Sequence, residues 1–107
     1  MEVRKMMNSE KVLQIIFAAL ESLREEMGED FEVEIGPDTP LFGPNATLDS
    51  LALVSVIVDV EGDVSMELGR GISLTDDRAM SQEVSPFDNV QTLLNYIMLL
   101  VDEVEES

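Results

Sequence analysis

The chain of 107 residues contains no cysteine, no histidine and no tryptophan. The lack of cysteine excludes disulfides and thiol chemistry. The lack of histidine excludes the imidazole that acts as base in a Ser, His, Asp relay and that most often binds transition metals. The only lysines, Lys5 and Lys11, lie near the N-terminus and outside any recognisable motif. We therefore expect no catalytic residue and no enzymatic activity.

Basic residues are also scarce, with 6 lysines and arginines against 23 acidic residues, a formal charge of -17. Binding to nucleic-acid phosphate needs a surplus of Lys and Arg, so nucleic acid is excluded as a general partner. The negative field favours basic protein partners and keeps the chain monomeric, although it is equally compatible with a role in solubility alone. Asp59, Glu61, Gly62 and Asp63 resemble a calcium loop in composition, but their spacing does not fit one, and we expect no metal site.

Long apolar runs are absent, and Met1 to Ser9 is too polar for a signal peptide. Together with the lack of cysteine, this predicts a cytoplasmic protein without membrane insertion. The length suits one domain, 1–107, with an N-terminal tail at 1–8 and an acidic C-terminal tail at 104–107. Aromatic residues make up only 5% of the chain, so the core must consist of Leu, Ile, Val and Met.

Helical periodicity is clearest between Ser9 and Met27, where apolar side chains recur at steps of three and four. Ser9 is suited to cap this helix and Gly28 to end it. The stretch from Asp49 to Leu68 is apolar nearly all round, so a buried strand is an alternative there, but its length favours a helix. Gly62 is a position where that helix could kink or end.

Two further helices are predicted in the second half of the chain. A short one follows a capping residue at Thr75, and a long one begins at Ser85, Pro86 and runs to about Glu103. The result is an all-α fold, a small irregular antiparallel four-helix bundle of three main helices and one short helix, with a long first loop.

The long loop, from Glu29 to Leu48, contains apolar residues that we expect to pin it onto the core: Phe31, Ile35, Leu41 and Phe42. The alternation from Phe31 to Ile35 is also compatible with a short strand.

Ser50 stands where this loop enters the second predicted helix, between Asp49 and Leu51. Free N–H groups and the positive end of the helix dipole meet there, so a phosphate ester on Ser50 would be stabilised. The alternative is that Asp49 or Ser50 simply caps the helix, and position alone favours that role.

The residues around Ser50 resemble the acyl carrier protein family. The resemblance is carried by the motif Asp49, Ser50, Leu51, by the preceding loop at Asp38–Phe42 and by the start of the last helix at Asn89–Ile97, and it extends from Lys11 to Val101. It implies that 4'-phosphopantetheine, donated by coenzyme A, is attached covalently to Ser50. It further implies a carrier that holds acyl intermediates as thioesters on this arm and presents them to enzymes of fatty-acid, lipid or polyketide-like biosynthesis.

The sequence departs from the family pattern around the motif. Thr47 stands where a Gly is common, and Ala52 to Ser55 replace the acidic residues expected early in the helix. The connection from Glu67 to Val84 is also longer than usual. These departures predict a specialised carrier rather than the housekeeping one.

The resemblance places the partner-binding surface on the second helix. The candidates are an exposed Leu51 or Leu53 and the acids Asp59, Glu61 and Asp63, with core packing as the alternative for both leucines. The implied partners are a phosphopantetheinyl transferase and acyl-activating, acyl-transferring or chain-modifying enzymes with basic or mixed docking surfaces.

A sheltering surface for the acyl chain is the least specific expectation. Core packing is the favoured role for each of its candidates: Val54, Val58, Ile72 and Ile97. Two alternative functions remain open: an aminoacyl or peptidyl carrier, and an unmodified acidic helical module that binds a basic partner or imitates nucleic acid.

Overall fold

The computed structural model describes residues 8–28, 35–43 and 48–106. Within them the chain forms four helices, α1 at Ser9–Met27, α2 at Ser50–Leu68, α3 at Asp77–Met80 and α4 at Val90–Glu106, and no strand. The all-α prediction is therefore confirmed. The alternative strand at Phe31–Ile35 lies outside the described residues except for Ile35, which is not in a strand, and Thr47 lies outside them as well.

The first two helices begin and end at residues that satisfy their free backbone groups. Asn8 rather than Ser9 caps α1, because its side-chain oxygen accepts a hydrogen bond from the Lys11 N–H at 2.8 Å. Gly28 ends α1 at a φ of 60°, a backbone conformation that favours glycine. α2 passes through Gly62 without a break and ends at Gly69, in the left-handed region.

The hydrophobic core is formed by the apolar sides of the three long helices, α1, α2 and α4. α1 contacts both α2 and α4. Ile16 and Leu20 of α1, Val60 of α2 and Leu93 and Ile97 of α4 are fully buried. This packing is what the helical periodicity predicts for an all-α domain. The antiparallel course of the helices stays a prediction.

Residues 35–43 of the first loop lie against the start of α4. Leu41 is fully buried and its N–H donates to the Asp88 carbonyl at 3.0 Å. The carbonyls of Pro37 and Thr39 accept the N–H groups of Gln91 and Val90 at 2.9 and 3.1 Å. This part of the loop is thus pinned as predicted, although Phe42 is 58% exposed and does not take part in the core.

α4 begins at Val90, later than the sequence predicts. Asn89 and Thr92 cap it reciprocally: the Asn89 side chain accepts from the Thr92 N–H at 2.9 Å, and the Thr92 hydroxyl accepts from the Asn89 N–H at 3.0 Å. Ser85 starts a turn instead, since its carbonyl accepts from the Asp88 N–H. At the other end α4 continues to Glu106, beyond the predicted end at Glu103.

The segment between α2 and α4 is fastened at three points. The N–H groups of Ile72 and Leu74 donate to the Ser65 hydroxyl and the Glu61 carboxylate of α2, at 3.0 and 2.7 Å. In α3, the Arg78 guanidinium forms a bidentate ion pair with Glu103 of α4. Asp76, not Thr75, caps this short helix through the Ala79 N–H.

Candidate functional site

Ser50 is the first residue of α2, and its side chain is exposed. The cap is the residue before it: a carboxylate oxygen of Asp49 accepts the Ala52 N–H at 2.8 Å, and the Asp49 carbonyl accepts from Leu53 at 2.9 Å. Within the described part of the chain, the Ser50 hydroxyl has no hydrogen-bond partner. Of the two capping candidates, Asp49 therefore caps α2, and Ser50 is exposed at the first position of the helix.

The first N–H groups of α2 differ from those of α4. In α4, the loop carbonyls of Pro37 and Thr39 already accept the hydrogen bonds of the first turn. In α2, no acceptor among the described residues bonds to the N–H groups of Ser50 and Leu51. Because helix N-termini bind anions through such unbonded N–H groups, α2 offers donors to a phosphate at Ser50 and α4 does not.

An apolar surface lies on the solvent side of α2, next to Ser50. Leu51 is 79% exposed, and Val54 and Val58 are each exposed over about half of their surface. Their spacing of three and four residues places them on one side of the helix, which we call the α2 outer face. Leu51 is thus not a core residue. The expectation that Val54 and Val58 pack in the core is wrong, because both lie on the side of α2 that faces solvent.

The predicted partner-binding acids of α2 have different surroundings. Asp59 and Asp63 are exposed. Glu61 is half-buried, and its carboxylate accepts the Leu74 N–H, so it fastens the segment after α2. Among the predicted acids, only Asp59 and Asp63 are therefore available to a partner on the described surface.

Three other predicted residues face the protein interior. Leu53 is half-buried and packs against the core, so of the two leucines predicted for partner contact only Leu51 is exposed. Ile97 is fully buried, and Ile72 is half-buried against the same core. The physical reason is helical geometry: Leu53 lies on the side of α2 that carries the core residues Val56, Ile57 and Val60.

A feature that the sequence did not reveal lies between α4 and the segment that precedes it. Tyr96 is only 4% exposed, and its hydroxyl is buried without a hydrogen-bond partner. Burial, together with the nearby carboxylate of Asp76, raises the pKa of this phenol. The tyrosine follows the apolar period of α4, so periodicity identifies it as a core residue but says nothing about its hydroxyl.

No group of three or more Asp and Glu side chains within residues 8–28, 35–43 and 48–106 is arranged to hold a metal ion. None of the helices in 8–28 and 48–106 is both long and apolar enough to cross a bilayer.

Comparisons with protein-family models, with curated proteins and with solved structures give no match for this chain.

Proposed function

We propose that this chain is a carrier protein, not an enzyme, whose Ser50 is modified with 4'-phosphopantetheine and whose arm holds acyl intermediates as thioesters. The observation that carries the proposal is the division of roles at the start of α2. Asp49 caps the helix, and the exposed hydroxyl of Ser50 is not needed for that purpose. The resemblance to acyl carrier proteins at this motif supplies the identity of the arm.

The backbone at Ser50 supports attachment through a phosphodiester. The phosphate would lie next to the N–H groups of Ser50 and Leu51, which bond to no acceptor among the described residues. The helix dipole adds a further favourable term of about 0.3–1 kcal/mol for a negative group at an exposed N-terminus. The backbone at the start of α2 therefore suits a phosphate on Ser50, where the resemblance places it.

The α2 outer face supports a docking role for the same region. It begins one residue after Ser50 and exposes the apolar side chains of Leu51, Val54 and Val58 to solvent. Exposed apolar patches of this kind mark interaction sites. We expect partner enzymes to contact this apolar surface near Ser50 and to meet the carboxylates of Asp59 and Asp63 further along α2. These partners would be the modifying transferase and the enzymes that load or process the acyl group.

The experiment is an intact-mass measurement after incubation with coenzyme A, magnesium and a broad-specificity phosphopantetheinyl transferase. We expect the mass to increase by one phosphopantetheine group and Ser50→Ala to abolish the increase. Ser55→Ala is the matched control, because Ser55 is also an exposed serine of α2 but lies beyond its first turn. No increase with several transferases, or an increase that survives Ser50→Ala, would overturn the proposal.

Two other functions share some of this support. An aminoacyl or peptidyl carrier would use Ser50 in the same way, and the activating enzyme that loads the modified protein distinguishes the two kinds of cargo. An unmodified acidic module that binds a basic partner is supported by the charge of -17 and by the α2 outer face. That module predicts partner binding that is unchanged by Ser50→Ala and an intact mass that does not respond to coenzyme A.

A further inference from the structure

The segment that contains α3 is attached to the rest of the molecule less firmly than the residues on either side of it. Leu74 before it and Pro86 after it are buried, and the Leu74 N–H also donates to the Glu61 carboxylate. Across residues 75–84, which we call the α3 strap, the only buried side chain is that of Ala79. Because burial of apolar surface is the main source of attachment, a strap that buries one small side chain gains little from it.

An ion pair at the protein surface links the α3 strap to α4. The Arg78 guanidinium donates two hydrogen bonds to the Glu103 carboxylate, and both side chains are about half exposed. An exposed pair contributes little to stability in water and is screened by dissolved salt. The attachment of the strap therefore includes a contact that ionic strength weakens.

The side of α4 that the strap covers carries a group that gains from opening. Tyr96 and Glu103 lie on the same side of α4, about two turns apart, since a helix repeats about every 3.6 residues. The Tyr96 hydroxyl is buried there, with no hydrogen-bond partner among the described residues. The charges that act on it are those of Asp76, Arg78 and Glu103, the cap of α3 and the two members of the ion pair. An unpaired buried hydroxyl destabilises the closed form, and water would reach it when the strap lifts.

We propose that residues 75–84 form a salt-sensitive strap over the Tyr96 hydroxyl, which opens and closes as a unit while the rest of the helical core stays folded. The ion pair between Arg78 and Glu103 favours the closed form, and hydration of the Tyr96 hydroxyl favours the open form. A rise in ionic strength weakens only the first contribution, so it shifts the balance toward the open form. No residue of the strap belongs to the Ser50 motif, so the strap operates whether or not Ser50 is modified.

Amide hydrogen exchange of the unmodified protein, measured by NMR, tests the opening of the strap. The N–H groups of Ala79 and Met80, which are both bonded to Asp76, report on the strap. Leu20, which is fully buried on α1, reports on the core. We expect exchange at Ala79 and Met80 to be faster than at Leu20. It should rise about two- to fivefold between low salt and about 1 M sodium chloride, where the screening length is about 3 Å, while exchange at Leu20 stays constant.

The fluorescence of Tyr96 provides a second measurement, because the chain has one tyrosine and no tryptophan. Acrylamide quenches this fluorescence on contact and is uncharged, so salt does not alter its attraction to the protein. We expect quenching by acrylamide to increase over the same range of salt as exchange at Ala79. Parallel changes in the two measurements distinguish opening of the strap from direct exchange at its surface.

Two variants act on the balance in opposite directions. Glu103→Gln removes the ion pair, so exchange at Ala79 should be about two- to fivefold faster at low salt and should no longer respond to salt. Tyr96→Phe removes the unpaired hydroxyl and keeps the ring, so exchange at Ala79 should become at least about fivefold slower. Glu21→Gln is the matched control, because it breaks an exposed ion pair with Arg24 on α1 and should leave exchange at Ala79 unchanged.

Three results would overturn the proposal: exchange at Ala79 as slow as at Leu20, exchange and quenching that do not respond to salt, or exchange in Tyr96→Phe at least as fast as in the unchanged protein. A purely structural role for Tyr96 predicts the third result, because loss of a packed group loosens the segment above it. Glu103→Gln tests the strap independently if Tyr96→Phe does not fold.

Discussion

Asp49 caps α2 through its carboxylate, and the adjacent Ser50 contributes only an exposed hydroxyl. Two neighbouring residues of types that both cap helices thus have different roles. The difference has a direct consequence for stability, since a capping side chain is needed by the helix and an exposed serine at the first position is not.

Substitution of the two residues should therefore have unequal effects. Asp49→Ala removes the acceptor of the Ala52 N–H, and we expect it to lower the free energy of unfolding by about 0.5–2 kcal/mol. Ser50→Ala should change the free energy by less than about 0.5 kcal/mol, as is usual for exposed positions. Urea denaturation followed by circular dichroism measures both. Equal losses for the two variants would show that Ser50 also supports the helix end.

The first loop provides a second matched pair, Leu41 and Phe42. Leu41 is fully buried, so Leu41→Ala should destabilise the protein by about 2–5 kcal/mol. Phe42→Ala should have a much smaller effect, because the larger side chain is mostly exposed. Thermal or urea unfolding of the two variants checks this. A greater loss for Phe42→Ala would mean that the loop is held by a different contact.

Glu61, which the sequence predicts as a partner-binding acid, should instead be a structural residue of α2. Its carboxylate accepts the Leu74 N–H at 2.7 Å, and a hydrogen bond to a charged group is worth about 1.5–3 kcal/mol. We expect Glu61→Ala to be destabilising and to increase amide hydrogen exchange at Leu74. Asp63→Ala, at an exposed position of the same helix, is the control and should leave the exchange of Leu74 unchanged. Unaltered exchange in Glu61→Ala would contradict the assigned contact.

The burial of Tyr96 predicts a specific response to alkaline pH. Desolvation and the Asp76 carboxylate raise the pKa of the phenol above its ordinary value of 10.0, and Glu103 adds to this while Arg78 opposes it. Above the pKa of the unfolded state, the unfolded chain releases the phenol proton first, so stability falls as pH rises through this region. Below pH 10 the shift contributes nothing, because the phenol is protonated in both states.

Absorbance at 295 nm measures this titration directly, since Tyr96 is the only tyrosine. We expect a midpoint above 10.0 in the folded protein, with circular dichroism recorded in parallel to show that the fold persists. Tyr96→Phe should remove the part of the alkaline loss of stability that belongs to the phenol. A midpoint at or below 10.0 in folded protein would show that the hydroxyl is solvated.

The sequence predicted the helices well where one local signal dominated. The apolar period of α1 and the turn residue Gly28 correctly placed that helix, since both act within a few residues. The length of the apolar run correctly favoured a helix for α2 over a strand. The predicted start of α4 at Ser85 is wrong because a second capping residue, Asn89, follows it. The helix begins after Asn89, where its first N–H groups also donate to the distant loop carbonyls of Pro37 and Thr39.

The candidate site divides in the same way. The position of Ser50 at a helix start follows from local sequence. Two other features do not follow from local sequence: that Asp49 rather than Ser50 caps the helix, and that Leu51 is exposed. Both residue types cap helices, and the apolar residues of α2 occur nearly all round the helix, so the sequence does not show which of them face solvent. The engagement of Glu61 by Leu74 and the unpaired hydroxyl of Tyr96 depend on the path of the segment between α2 and α4, for which no local pattern exists.

The cap provided by Asp49 also separates the folding of α2 from the proposed modification of Ser50. Because the Asp49 side chain caps α2, the first turn of the helix is formed in the folded chain whether or not Ser50 is modified. A modifying enzyme would therefore meet a finished surface and would not have to wait for, or assist, the folding of its substrate. Under the proposed modification, loss of the group from Ser50 would likewise leave α2 capped by Asp49.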